Sequence, residues 1–313
     1  MAASEQQTSK APQPQGGKSP SLLKSSSIVS AMTLLSRILG LVRDVLVASY
    51  FGARADAFFV AFKIPNFFRR LFAEGAFSVA FVPVLSEYKV QEKDIKSLVK
   101  AVSGSLLAII GPFTIVAVAA APILTWVFAP GFASDPEKFA LTSDLLRITF
   151  PYLLLISLTA FYGSVLNTYG QFAIPAVTPV LLNLCLIVAT LYFTPWFDEP
   201  LMALAWGVLL AGVTQLAFQL PFVMKLGLLA LPKPAFADVG VRRILKLMVP
   251  ALFGVSVSQI NMLLDILLAS FLETGSVSWL YYSDRLTQLP LGIFAIALAV
   301  VILPSLSQKH AAQ

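Results

Sequence analysis

Seven basic side chains stand where basic side chains are expensive. Arg37, Arg43, Lys63, Arg69, Arg70, Arg147 and Arg285 fall within or at the edges of long apolar runs, together with Asp44, Asp56, Glu74, Asp144, Asp265 and Asp284. An arginine at the centre of a bilayer costs about 2.5–3.5 kcal/mol on insertion scales, so several together must face a shared polar interior or lie near an interface. The chemistry open to them is anion binding. A guanidinium is planar, stays charged and donates hydrogen bonds in pairs, which suits phosphate and carboxylate. Arg37 and Arg43 are six residues apart, about 120° around a helix, and can flank one broad face. Asp44 adjoins Arg43. Arg69 and Arg70 follow Pro65, whose missing N–H and ring clash would kink the segment, and Arg285 stands five residues before Pro290. Kinked helices bearing inward arginines read as the wall of a cavity for an anionic substrate, with Arg37, Arg43, Arg69 and Arg285 binding it. Internal pairing with Asp44, Asp56 or Asp284 is the structural alternative for these four.

The remaining charges have plainer readings. Arg70 and Glu74, spaced i, i+4, read as a structural ion pair, and Arg147 with Asp144, spaced i, i+3, as a structural or interfacial one. Lys63 reads equally as a cavity residue or as a side chain snorkelling to an interface. Asp265 has no basic neighbour in its own apolar run; it is a candidate coupling-cation or proton site, or it pairs with an arginine elsewhere. Catalytic chemistry finds few residues to work with. A single histidine, His310, and a single cysteine, Cys185, leave no Ser-His-Asp triad, no His-based metal site and no disulfide framework. No enzyme activity and no cofactor are expected.

The elements that must carry these charges follow from composition. The chain is 58% apolar and 12% charged over 313 residues, against about 45–50% and about 25% in soluble domains. The expected class is therefore all-α, a polytopic integral membrane protein. Long apolar runs predict eight transmembrane helices, at 28–51, 57–85, 101–128, 142–166, 171–194, 201–224, 243–271 and 277–305. Residues 1–27, rich in Ser, Gln, Pro and Lys, read as a disordered tail. Residues 28–224 would form a lobe of six helices, 225–242 a loop, and 243–313 the first two helices of a second lobe. On the side of the N-terminus the loops hold 13 Lys and Arg residues, against Arg54 and Lys138 on the other side. That bias places both ends in the cytoplasm, and it accounts for the net charge of +6 without nucleic acid.

An internal repeat points to transport. Residues 76–88 (AFSVAFVPVLSEY) and 297–309 (ALAVVILPSLSQK) agree at five of 13 positions, including Pro83 with Pro304 and Ser86 with Ser307. The offset pairs the first two spans with the seventh and eighth, and repeats of this kind are typical of transporters whose substrate lies between two halves. On this reading the second lobe is short of its remaining helices, and the chain is expected to be truncated.

The stretch SAMTLLSRILGLVRDVLVASYFGARADAFFVAFKIPNFFRRLFAEGAFSVAFVPVLSEYK (30–89) resembles the MurJ/MviN lipid II flippase family. So do APGF (129–132), LRITFPYLLLISL (146–158), LNTYGQFAIPAVTPVLLN (166–183), GVSVSQI (254–260), the run from Thr274 to Leu286, and ILPSLS (302–307). The resemblance covers nearly everything after residue 20. It implies a member of the MOP transporter superfamily, normally of fourteen spans, that moves an undecaprenyl-pyrophosphate-linked disaccharide-pentapeptide across the bacterial inner membrane. The family's cavity arginines match Arg37, Arg43, Arg69 and Arg285. Its functionally important aspartate on the outer side of the second span matches Asp56, and Asp44, Ala48 and Ser278 fall at cavity-lining positions. Lipid II and membrane lipid are the implied partners, other cell-wall synthesis proteins are open as partners, and coupling to membrane potential or a monovalent cation is expected. A flippase for another polyprenyl-linked glycan, or a non-transporting partner protein, stays as the alternative.

Overall fold

The structure is a computed structural model and describes residues 20–288 and 290. Among these residues there is no strand, and the chain runs up and down as eleven α-helices. They are α1 (Pro20–Phe51), α2 (Ala55–Phe68), α3 (Phe77–Val90), α4 (Ile95–Ala119), α5 (Ala121–Phe128), α6 (Pro136–Thr149), α7 (Tyr152–Thr168), α8 (Ala173–Val188), α9 (Leu201–Lys225), α10 (Val239–Ala269) and α11 (276–288). Helix α1 is described from Pro20, so the stretch 20–27, expected to belong to a disordered tail, is helical. Residues 1–19, most of the eighth expected span and the second copy of the repeat lie outside the described residues.

Local chemistry sets the helix starts. Asp94, Asp135 and Asp238 each cap a helix, their carboxylates accepting from the backbone N–H of Ser97, Lys138 and Val241 at 3.0, 3.1 and 3.1 Å. The kink expected after Pro65 takes a particular form. Residues 55–90 are one unbroken helical rod whose middle, Arg69–Ala76, is a π-helix of eight residues. Such stretches are rare and sit often at functional sites. Helix α10 packs against this stretch: a Cβ on Gly75 would lie 2.8 Å from a methyl of Val255.

Four helical segments are by length and composition apolar enough to cross a membrane: Ile95–Ala119, Pro136–Thr168, Ala173–Trp196 and Leu201–Lys225. The bent helix α10 makes a fifth candidate. The first two expected spans are helical throughout but carry the charges described above, and they are not in this set. The third expected span is divided at Ala120 into α4 and the short α5, and the fourth begins earlier, at Pro136. The interior is aromatic. Phe58, Phe59, Phe62, Phe150 and Tyr152 belong to one buried cluster, and Phe77, Phe81 and Phe161 to a second around α3 and α7.

Contacts among helix ends and loops tie together the two ends of the bundle. At one end Arg54 pairs with Glu199 at 3.0 Å and Lys138 with Asp56 at 3.1 Å, while Gly131 donates to the Ser270 hydroxyl at 3.1 Å. At the other end Lys89 reaches the Thr168 carbonyl at 2.9 Å, Arg243 pairs with Glu87 at 2.6 Å, and the N–H of Lys233 donates to the Lys100 carbonyl at 3.2 Å.

Candidate functional site

A cavity of about 640 Å³ lies among α1, α2, α7, α8, α9, α10 and α11. Arg37, Arg43, Arg69 and Arg285, from three different helical segments, all line it, and Lys63 and Arg70 join them. Two carboxylates, Asp265 on α10 and Asp284 on α11, face the same space and are exposed to it. The opposing wall, from α7, α8 and α9, is neutral and polar, with Tyr152, Thr178, Asn183 and Gln215. A second hollow of about 310 Å³ between α1, α8 and α11 shares Arg37 and Arg285 and adds Asp44.

The four arginines are held in different ways. Arg43 is 3% exposed and almost fully engaged. Its Nε and Nη2 donate to Asp44 Oδ1 at 2.9 and 2.6 Å, its Nη1 to Asn183 Oδ1 at 2.9 Å, and its Nη2 also to the Tyr281 hydroxyl at 2.8 Å. Asn183 in turn donates to the Ser36 carbonyl at 2.8 Å, so α8 fixes both Arg43 and the backbone of α1. Arg285 sits beside Asp44 Oδ2 at 3.4 Å, and its side chain is 41% exposed. Arg37 donates to the Gln288 carbonyl at 2.9 Å, and Arg69 to Asn66 Oδ1 at 2.9 Å. Among the described residues, several N–H groups of Arg37 and Arg285 on the cavity have no acceptor, whereas Arg43 spends its donors on the protein. The arrangement can take up an oxyanion by several charge-assisted hydrogen bonds at once.

Lys63 does not snorkel. It turns inward onto the cavity, 9% exposed, and lies over the Tyr281 ring, 5.6 Å from its centroid. Arg147 and Asp144 form the expected exposed pair at 2.5 Å. The side chain of Glu74, expected to pair with Arg70, is outside the described ones. Asp265 makes no ion pair among the described residues, and it lies on the same cavity as Lys63.

Asp56, Ser278 and Ala48 are not on the cavity wall. Ala48 is half-buried on α1, one turn beyond Asp44. Asp56 and Ser278 are each 1% exposed and belong to a joint at the Arg54–Glu199 end of the bundle. Asp56 Oδ1 accepts from the Ser278 N–H at 2.8 Å and the Ser278 hydroxyl at 2.6 Å; Oδ2 accepts from the Gly275 N–H at 2.7 Å and Lys138 Nζ at 3.1 Å. A carboxylate on α2 thus caps the start of α11 and stabilises the positive end of its dipole. Gly275 has φ +109°, a conformation that L side chains rarely adopt, which aims its N–H at Asp56.

Sequence reasoning missed Asn183 and Tyr281. Neutral polar groups inside apolar runs carry no charge signal; the one available cue was Asn183 interrupting Leu-Leu-Asn-Leu-Cys-Leu. Among the described residues no group of three or more His, Cys, Asp or Glu side chains is placed to hold a metal ion.

Apolar helices that close around a cationic cavity define a multi-pass membrane protein of transporter architecture. The family model described as "Lipid II flippase MurJ" matches residues 47–313. A "Probable lipid II flippase MurJ" of Vibrio cholerae is 53% identical over 300 residues, covering 92% of this chain and 57% of the relative. Its counterpart in Haemophilus influenzae is 52% identical over 291 residues, covering 89% and 57%. A solved structure titled "Lipid II flippase MurJ, inward closed conformation" superposes with a TM-score of 0.72 at 32% identity, covering 91% of this chain and 59% of that one. The chain belongs to the lipid II flippase MurJ family. It spans a little over half the length of the curated relatives it matches.

Proposed function

We propose that this chain binds the pyrophosphate-bearing head of an undecaprenyl-linked disaccharide-pentapeptide and takes part in moving it from the cytoplasmic to the outer leaflet of a bacterial inner membrane. The observation that carries the reading is the convergence of Arg37, Arg69 and Arg285 on one cavity, beside an Arg43 whose donors are almost all taken up within the protein. Charge draws the head in, and the planar donors orient its phosphate oxygens. The polyprenyl tail stays in lipid, since burying it in a charged cavity would forfeit its apolar contacts. The excess of basic loop residues supports the orientation in which the N-terminus and the Lys89–Lys233 end face the cytoplasm.

No bond is made or broken in this process, so the protein acts as a transporter and not as a catalyst. Once the substrate's negative charge neutralises the arginines, closing the cavity around them becomes less costly. The inside-negative potential, worth about 2.3 kcal/mol per charge per 100 mV, then draws the emptied cationic cavity inward again. Asp265, exposed on the same cavity, is the candidate for a coupling cation or proton. Other cell-wall synthesis proteins are candidate partners.

Native mass spectrometry of the detergent-purified chain with lipid II tests the reading. Binding should fall in Arg37→Ala and Arg285→Ala variants whose melting temperatures match the parent. Equal binding in all three proteins would remove the cavity from substrate recognition. Comparable affinity for a different undecaprenyl-pyrophosphate glycan would assign the head-group selectivity elsewhere.

A further inference from the structure

Tyr281 stands where three cations meet. Its ring is stacked on Phe59 with centroids 4.1 Å apart, and Lys63 Nζ and Arg285 Cζ each lie 5.6 Å from the Tyr281 centroid. Its oxygen accepts from Arg43 Nη2 at 2.8 Å and from Arg285 Nε and Nη2 at 3.4 and 3.3 Å. A phenol oxygen accepts through its lone pairs and has one proton to donate. Here two guanidiniums take the accepting directions, and no acceptor among the described residues receives the proton. The residue lines the cavity, although only 9% of it is exposed. Two cations on the oxygen also draw electron density from the O–H bond, which strengthens it as a donor.

We propose that the Tyr281 hydroxyl is a direct hydrogen-bond donor to a phosphate oxygen of the ligand, and that it fixes where along the cavity this oxygen sits. The proposal rests on the anionic-lipid reading above and adds to it a residue that reads position. Charge alone attracts any anion from any direction. A neutral donor clamped between Arg43 and Arg285, with its ring held by Phe59, offers a hydrogen bond along one line only. An oxyanion that reaches Arg285 and this hydroxyl together is placed to within hydrogen-bonding tolerance.

Tyr281→Phe keeps the ring, its stacking and the cations over its face, and removes the hydroxyl. With lipid II as the probe, the dissociation constant measured by native mass spectrometry should rise about tenfold or more, as for a lost hydrogen bond to a charged group. The phenylalanine variant also deprives the two arginines of an acceptor, so a second protein separates the roles. 3-Fluorotyrosine placed at position 281, studied at a pH where the phenol stays protonated, is a stronger donor and a poorer acceptor. Donation to the ligand requires tighter binding than the parent. A hydroxyl that merely serves the arginines requires weaker or equal binding, and that result overturns the proposal, as does a Phe variant that binds like the parent. A parent chain that fails to bind lipid II removes the reading of the site itself and this inference with it. Parent binding that Arg285→Ala weakens and Tyr281→Phe leaves alone removes the inference only.

Discussion

The carboxylates at the two ends of the charged core are used in opposite ways. Asp56 is buried and fills both oxygens with four donors from Lys138, Gly275 and Ser278. Asp265 and Asp284, on the cavity, are exposed and make no ion pair among the described residues. The arginines divide likewise, with Arg43 engaged and Arg285 41% exposed. A buried charge whose every bond is satisfied within the protein is a joint; a charge with donors or acceptors left over is a place for something else to bind. Residue type does not separate the two, and hydrogen-bond saturation does.

The comparison is broken most forcefully at Asp56. Asp56→Ala leaves Lys138 and the first turn of α11 without their anion, and stability should fall by roughly 3–5 kcal/mol, as when one partner of a buried pair is removed. Thermal unfolding in detergent reads it, and an unchanged melting temperature would end the joint reading. Arg285→Ala should do the reverse: lipid II binding weaker by about 1.5–3 kcal/mol, the upper end discounted for its exposure, with little change in melting. Between them stands Asn183→Leu, which keeps the branched shape of the side chain but strands Arg43 Nη1. It should lower stability by about 1–3 kcal/mol and, if Arg43 merely supports the site, change binding less than Arg285→Ala does. The smallest effect belongs to Arg147→Ala. Its pair with Asp144 is about half exposed on both sides, and stability should move by no more than ~0.5 kcal/mol. A larger drop would mean that exposure is a poor guide to which pairs matter.

Much of the cavity was legible because charge in an apolar run is costly and therefore conspicuous. Arg37, Arg43, Arg69 and Arg285 stood out one by one, and the helical repeat was enough to aim the first two at a common face. Their division into engaged and open groups was not legible. It depends on Asn183 and Tyr281, which lie 140 and 238 positions from Arg43 in the chain. Asp56 shows the same limit, since its partners Gly275 and Ser278 lie 219 and 222 positions away and no spacing rule links them. Proline at 65 announced a disturbance in the second segment, but not that the helix would absorb it as a π-helical stretch without breaking. Lys63 was ambiguous because a long side chain can turn either way, and only packing against Tyr281 decides which.

The end of the bundle built around Asp56 carries a further consequence. Arg54 and Lys138 are the basic residues of that end, and each is already neutralised, by Glu199 and by Asp56. Asp135, Glu137, Asp198 and Glu273 add negative charge in the same segments. Among the described residues, an anionic head arriving there would meet two cations already paired with carboxylates and several acids to push it away. If the head travels as proposed, the described helices hold it at one end of its path and repel it at the other.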